Sequence, residues 1–568
     1  VALVLLLGAG GLGAGFVYIN RKSCTGQVTA SITAAGTISP ILQRLSKQWS
    51  DTKPSVAGTC VSVSVVAKDS AVMAQALGTN WDEAANGPLP DVWVPESTAW
   101  VRRASSAAIA ERMMPDLQPS LARSPAVIAM PKPMAEALGW PKVQVSWQDV
   151  ITKYAATPGE WGKLGKPWGD FRFGMTDPLK STAGLLALMA IQDVDDDGEV
   201  TDAELAGVLK LKQVRAVYLP GTEQIFKDLA TADAQGQDAA LRYLSAFPAI
   251  EQDVLAYNQT SPKVPLAAIY PSNGSGDADY PYLILNGPTA NRQHQDAAHA
   301  FLSYARGTGR QTFMAAGFRD PNRVGGKGLT ETNGFSAKVA TLPRAVLLPE
   351  SVQQTMDTWT ALTRPTNVLI VLDVSGSMKA VVPGTGKTRL QLAKDAATGA
   401  VSLFGGDTFA GLWEFSTKLD GAKGYKSVVP LGKLSDEIGG KSRKEAMLTA
   451  IDKLQPTGDT ALYDTVAAAQ QTVLENYKPG STNLVVLMTD GKNDNPAGGL
   501  TLDQLNQRLN QTAADATKKV PVVTVAYGED ADAATLQEIS RVTGALSYTS
   551  KTSFDIEQVL LTAIFGRV

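Results

Sequence analysis

The chain has 568 residues, 19% of them charged, and a formal net charge of -3. That length holds more than one core, and the near-neutral balance offers no basic face for nucleic acid. Its two histidines, His294 and His299, fall in the helix-like run HQDAAH, which argues against a His-based catalytic triad.

In chain order, Val1 to Ile19 (VALVLLLGAGGLGAGFVYI) carries no charge and has the length that spans a bilayer, so a single anchor helix is expected. The glycines from Gly8 to Gly15 leave one helix face nearly bare, which suits packing against another membrane helix. The chain begins without Met, and residues are expected to precede Val1. Arg21 and Lys22 follow the apolar run, against the positive-inside rule for an outside placement. That placement rests instead on the cysteines and on the domains that follow. Cys24 precedes one predicted strand and Cys60 opens another. Neighbouring parallel strands would bring them together, and a disulfide is expected.

From Gln27 to about Gly325 the pattern is α/β. VTASITAAG reads as a strand that leads through Thr37 and Ser39 into a helix with Pro40 in its first turn. CVSVSVVAKDS is a second strand, ending in Asp69 and Ser70, and PDVWVPESTAW a third, ending in Glu96, Ser97 and Thr98. Strands that end in hydroxyl-bearing turns opening helices aim backbone N–H groups at one crevice. For each such Ser or Thr, simple N-capping is the alternative. SPAVIAMPKP reads as the crossing to a second lobe, about residues 125–260, TDPLKSTAG opens a helix with Ser181 and Thr182, and DADYPYLIL reads as the return strand. The succession SPAVIAM, TDPLKSTAG, YPYLIL and GRQTFMAAGFR resembles two-lobed extracellular solute-binding proteins of the type that grips small anions between its lobes. The resemblance spans 25–330 and implies a ligand cleft at Thr37, Ser39, Asp69, Ser70, Ser97, Ser181 and Thr182.

Within the second lobe, DVDDDGEVTDAE fits an EF-hand loop. Asp193, Asp195 and Asp197 stand at positions one, three and five, Gly198 at the turn, the Glu199 carbonyl at seven and Glu204 at twelve. Such closely spaced carboxylates repel unless a cation neutralises them, so Ca²⁺ is expected there.

Residues 331–365 read as a linker with a helix, SVQQTMDTWTALTR, that stops before Pro365. The last segment, 366–568, alternates strands and helices. NVLIVLDVSGSM is a strand buried on both faces that ends in Asp373, Ser375 and Ser377. PTGDT offers Thr460, and NLVVLMTDG ends in Asp490. The order DxSxS, then Thr, then Asp resembles the metal-ion-dependent adhesion site of von Willebrand factor A domains. That resemblance implies a doubly wound, Rossmann-like fold. It also implies Mg²⁺ (or Mn²⁺ or Ca²⁺) held by Asp373, Ser375, Ser377, Thr460 and Asp490, with a partner protein's carboxylate as the last ligand. Pro383 to Thr388 mimics the end of a P-loop, but position 381 is Val where the first glycine belongs.

No acid–base pair, activated nucleophile or cofactor loop stands out, so a binding protein is expected rather than an enzyme. The leading expectation is a membrane-anchored extracytoplasmic protein of a bacterial cell envelope that grips a partner carboxylate through its metal. Other membrane subunits would contact the anchor. The alternatives are a solute receptor for an ABC-type importer or a sensor, or an accessory subunit of a larger membrane complex.

Overall fold

The computed structural model describes residues 24–192, 202–336 except 275 and 289, 339, and 348–550 except 422, 516 and 528–531. The anchor segment Val1–Ile19 and the calcium-loop residues Asp193, Asp195, Asp197 and Glu199 lie outside the described residues, as do residues 551–568. Among the described residues no helix is long and apolar enough to cross a membrane. The chain divides into two compact units, with residues 200–214 belonging to the second although the flanking segments belong to the first.

The first unit opens on β1 (Gln27–Ala34), whose alternating burial marks a strand with one covered face. It pairs in parallel with β2 (Thr59–Ala67), Gln27 standing opposite Cys60. The register brings Cys24 and Cys60 together in a disulfide with Cα atoms 5.1 Å apart, as the strand pattern predicts. On the other side β1 pairs with β3 (Val92–Val94). The helices α1 (Ser39–Asp51), α2 (Ser70–Gly78) and α3 (Thr98–Ser105) follow the three strands in turn.

The second lobe is built around β4 (Ser124–Pro131), buried along its whole length. Beyond it come β5 (Phe173–Thr176), α4 (Thr182–Gln192) and β6 (Arg215–Leu219), while α5 (Asp202–Val214), between α4 and β6 in sequence, belongs to the second unit. Next are β7 (Phe247–Ile250), α6 (Glu251–Gln259) and β8 (Leu266–Ile269). Strands β7 and β8 both pair antiparallel with β4, and β5 pairs in parallel with β6. Glu204 lies in α5.

The expected return strand DADYPYLIL is broken in two. β9 (Asp277–Ala278) pairs with β4 of the second lobe, and β10 (Leu283–Ile284) pairs with β3 of the first. Between them Tyr280 sits at φ 42°, a left-handed conformation costly for an aromatic residue. A continuous strand cannot serve two sheets, so the chain turns there.

Helix α7 (Pro349–Thr363) spans the division at Gln353, and the second unit goes on with β11 (Thr366–Asp373), every residue of which is buried. After β11 come α8 (Arg389–Leu403), the hairpin β12 (Phe409–Asp420) and β13 (Lys423–Lys433), and α9 (Leu462–Glu475). The unit continues with β14 (Thr482–Thr489), α10 (Leu502–Ala513), β15 (Val522–Tyr527), α11 (Ala533–Val542) and β16 (Ser547–Ser550). The sheet order is β13-β12-β11-β14-β15-β16, parallel except for the hairpin strand β13 at one edge. Leu369, Val371, Val485 and Leu487 pack with Leu462, Val466 and Leu505 into one core. Thr388 caps α8 by accepting from the Gln391 N–H at 3.1 Å, so the P-loop mimic is a helix start.

Candidate metal centre and inter-lobe cleft

The central strand β11 carries Asp373 to the carboxyl edge of the second sheet, where open α/β folds gather ligands. Asp373 is fully buried. One carboxylate oxygen accepts from the Ser375 N–H at 2.7 Å, and the other accepts from the Thr489 hydroxyl at 2.6 Å. The Ser375 and Ser377 hydroxyls are 2.9 Å apart. The Thr460 loop is stitched to this turn: Gly376 N–H donates to the Gly458 carbonyl at 2.8 Å, and Thr457 N–H to the Val374 carbonyl at 2.5 Å. Thr460 and Asp494 exchange backbone bonds of 2.7 and 2.9 Å, which ties that loop to the segment following Asp490.

The five sequence-predicted positions thus come from three segments that converge on one sheet edge. Burial pushes the Asp373 carboxyl up to about 7 despite the Ser375 and Thr489 bonds, and the nearby Asp490 carboxylate adds to the rise. Two carboxylates that repel, with hydroxyls beside them, form a hard-oxygen donor set that fits a divalent cation such as Mg²⁺. Among the described residues no group of three or more His, Cys, Asp or Glu side chains gathers as a metal site. A metal here would therefore depend on the hydroxyls.

Three participants escaped the sequence reading. Thr489, beside Asp490 in sequence, holds Asp373, and Asn493 accepts from the Leu462 N–H at 3.0 Å to start α9. Arg389, at the start of α8, places a guanidinium nitrogen 3.0 Å from Asp490, with the two side chains 14% and 6% exposed. Nothing near Arg389 in the sequence flags that pairing.

In the first unit the candidate cleft residues divide into two groups. Asp69 caps α2 by accepting from the Val72 N–H at 2.9 Å. Ser97 caps α3 through the Ala99 N–H at 3.2 Å and donates to the Asp277 carbonyl. Ser181 accepts from the Gly184 N–H at 3.2 Å and from the Thr176 hydroxyl at 2.9 Å, and Ser39 is buried in the first turn of α1. These are the local caps weighed above as the alternative. Thr37, Ser70 and Thr182 instead meet Glu96. Thr37 donates to one Glu96 carboxylate oxygen at 2.9 Å, Thr182 to the other, and the Glu96 N–H donates to Ser70 Oγ at 3.1 Å. Burial holds the Glu96 carboxyl above its ordinary value, against the Thr182 and Thr37 bonds.

A two-lobed α/β unit followed by an α/β domain with a hydroxyl-rich sheet edge is the class of protein that these features define. The family model for bacterial extracellular solute-binding proteins matches residues 30–319, and that for the von Willebrand factor type A domain matches 367–562. The chain belongs to the bacterial extracellular solute-binding protein family and carries a von Willebrand factor type A domain. An uncharacterized protein of Mycobacterium tuberculosis is 24% identical over 539 residues, covering 93% of this chain and 75% of that protein. A periplasmic binding protein from Actinobacillus pleuropneumoniae, solved with fructose-6-phosphate bound, aligns at 15% identity and TM-score 0.38 over 59% of this chain and 98% of that chain. A von Willebrand factor type A protein from Catenulispora acidiphila aligns at 19% identity and TM-score 0.27 over 36% of this chain, spanning 44% of that structure.

Proposed function

We propose that this is an extracytoplasmic binding protein, anchored through Val1–Ile19, whose second unit captures a partner protein through a divalent cation. Asp373, Ser375, Ser377, Thr460 and Asp490 would hold Mg²⁺ or Mn²⁺, and a carboxylate of the partner would complete the coordination. The observation that carries this reading is the buried Asp373 carboxyl, set beside Asp490 and the Ser375–Ser377 hydroxyl pair at the sheet edge. Ser375, Ser377 and Thr460 are neutral ligands and Asp490 already pairs with Arg389, so the ion would keep positive charge, which favours an acidic partner. The solute-binding family and the type A domain both support a binding role outside the cytoplasm. Titration calorimetry with MgCl₂ and MnCl₂ tests the site. Asp373→Ala is expected to weaken metal binding by about tenfold or more while the fold survives, since the residue lies at a sheet edge. Partner capture that ignores both EDTA and Asp373→Ala would sink the mechanism.

We further propose that Asp193, Asp195, Asp197, Glu204 and the Glu199 carbonyl hold Ca²⁺. The support is the spacing of the carboxylates. Calcium chelation should lower the melting temperature of the wild type and leave Asp193→Ala unaffected. Equal melting of both proteins with and without calcium would reduce the loop to a solvated turn.

A further inference from the structure

Where the resemblance to solute-binding proteins implies a ligand between the lobes of the first unit, a carboxylate of the chain meets hydroxyls from both lobes. Glu96 lies just past β3 in the first lobe. Thr182 opens α4, an eleven-residue helix buried throughout in the second lobe. A Glu96 carboxylate oxygen accepts from the Thr182 hydroxyl, and the same Thr182 oxygen accepts from the indole N–H of Trp100 at 2.8 Å. Trp100 belongs to α3 of the first lobe, so both bonds cross from lobe to lobe. The second Glu96 oxygen accepts from Thr37, whose hydroxyl is also 3.1 Å from the Tyr280 hydroxyl. Tyr280, the strained residue where the chain returns between lobes, gives its backbone N–H to the Glu96 carbonyl at 3.0 Å. A non-glycine residue held in the left-handed region needs surroundings that over-determine it, and this network supplies them.

We propose that the cleft is closed on a ligand supplied by the chain itself, the Glu96 carboxylate, so that the first unit is self-liganded and takes no free small anion. The hydroxyls of Thr37 and Thr182 are already committed to that carboxylate, and at the start of α4 the Gly184 N–H is taken by Ser181. The charged groups that act on these carboxyls are themselves carboxylates, Asp69 on Glu96 and Glu96 on Asp253. Among the described residues no Lys or Arg forms an ion pair with Glu96. A free phosphate, sulfate or carboxylate would find the Thr37 and Thr182 hydroxyls already donated. The unit therefore acts as a closed platform, independently of the metal centre in the second unit.

Hydrogen–deuterium exchange of the full chain, with inorganic phosphate, sulfate and acetate as probes, tests this. Wild type should show strong protection at residues 96–100 and 182–186, unchanged by millimolar amounts of any probe. Glu96→Ala should raise exchange at both segments by about tenfold, as expected for losing charge-assisted hydrogen bonds, and acetate should restore protection by refilling the vacated position. Thr182→Val, which keeps Glu96 and removes the cross-lobe hydroxyl, should raise exchange at the same segments without acetate rescue. It carries the test if Glu96→Ala fails to fold. Wild-type protection that rises on adding phosphate, sulfate or acetate would overturn the proposal. So would variants that exchange like wild type at both segments.

Discussion

Asp490 sits between two cations, one present in the chain and one proposed. The Arg389 guanidinium is paired with it, at the edge where Mg²⁺ would bind. A guanidinium and a metal ion compete for the same carboxylate, so Arg389→Gln should tighten Mg²⁺ binding by roughly threefold to tenfold, a part of the Coulomb energy of about 4 kcal/mol for unit charges about 4 Å apart at an effective dielectric of about 20. It should also destabilise the metal-free protein by about 1–3 kcal/mol, since Asp490 loses its partner in a mostly buried position. Calorimetry and denaturant melts read the two effects, and unchanged Mg²⁺ affinity would mean that Arg389 only braces the loop. A second residue-scale test uses pH. Burial, and then the neighbouring Glu96 carboxylate, push Asp253 from its ordinary 3.8 up to about 8. A carboxyl raised on folding favours the folded state below the unfolded value, and that contribution is lost as pH rises through the folded value. The first unit should therefore weaken from about pH 4 to about pH 8, and Asp253→Asn should flatten that slope in urea melts. A slope of the same size in the variant would assign the loss to other groups.

At the scale of elements, the disulfide joins the approach to β1 with the start of β2 across a sequence separation of 36. Closing a loop of that length is worth roughly 3–4 kcal/mol on the chain-entropy estimate. Reduction should lower the first unit's stability by about that much, and thiol labelling of the unfolded chain should find reactive cysteines only after reductant is added. Two reactive thiols without reductant would contradict it. The strand–helix rhythm of both units was legible because buried parallel strands are continuous apolar runs, as in NVLIVLD and NLVVLMT. Strand β13 was not read, because KGYKSVVPLGK is an edge strand with mixed exposure and an internal proline. DADYPYLIL looked like one strand because its composition is strand-like, and only pairing with two sheets breaks it at Tyr280.

At the scale of the whole molecule, the proposed calcium loop and the proposed metal centre draw on separate stretches of sequence. They share no ligand residue, and sites with no shared partners usually add. Asp193→Ala should therefore abolish the calcium response and leave Mg²⁺ affinity at the second unit unchanged, and Asp373→Ala should do the reverse. Cross-talk in either direction, measured by calorimetry on both variants, would show that the two metals act as one system.

The sequence by itself determined the two families, the order of the units, the disulfide partners and the convergence of Asp373, Ser375, Ser377, Thr460 and Asp490. Each of these follows from local patterns: apolar runs, turns at strand ends, and motifs whose residues occupy known places at a sheet edge. Only the tertiary structure decided what the cleft hydroxyls do. Ser97 and Asp69 turned to their own helices, while Thr37 and Thr182 turned to Glu96. A side chain's hydrogen-bond partner is whichever donor or acceptor the fold brings within about 3 Å, and for residues 86 positions apart no local signal encodes that meeting.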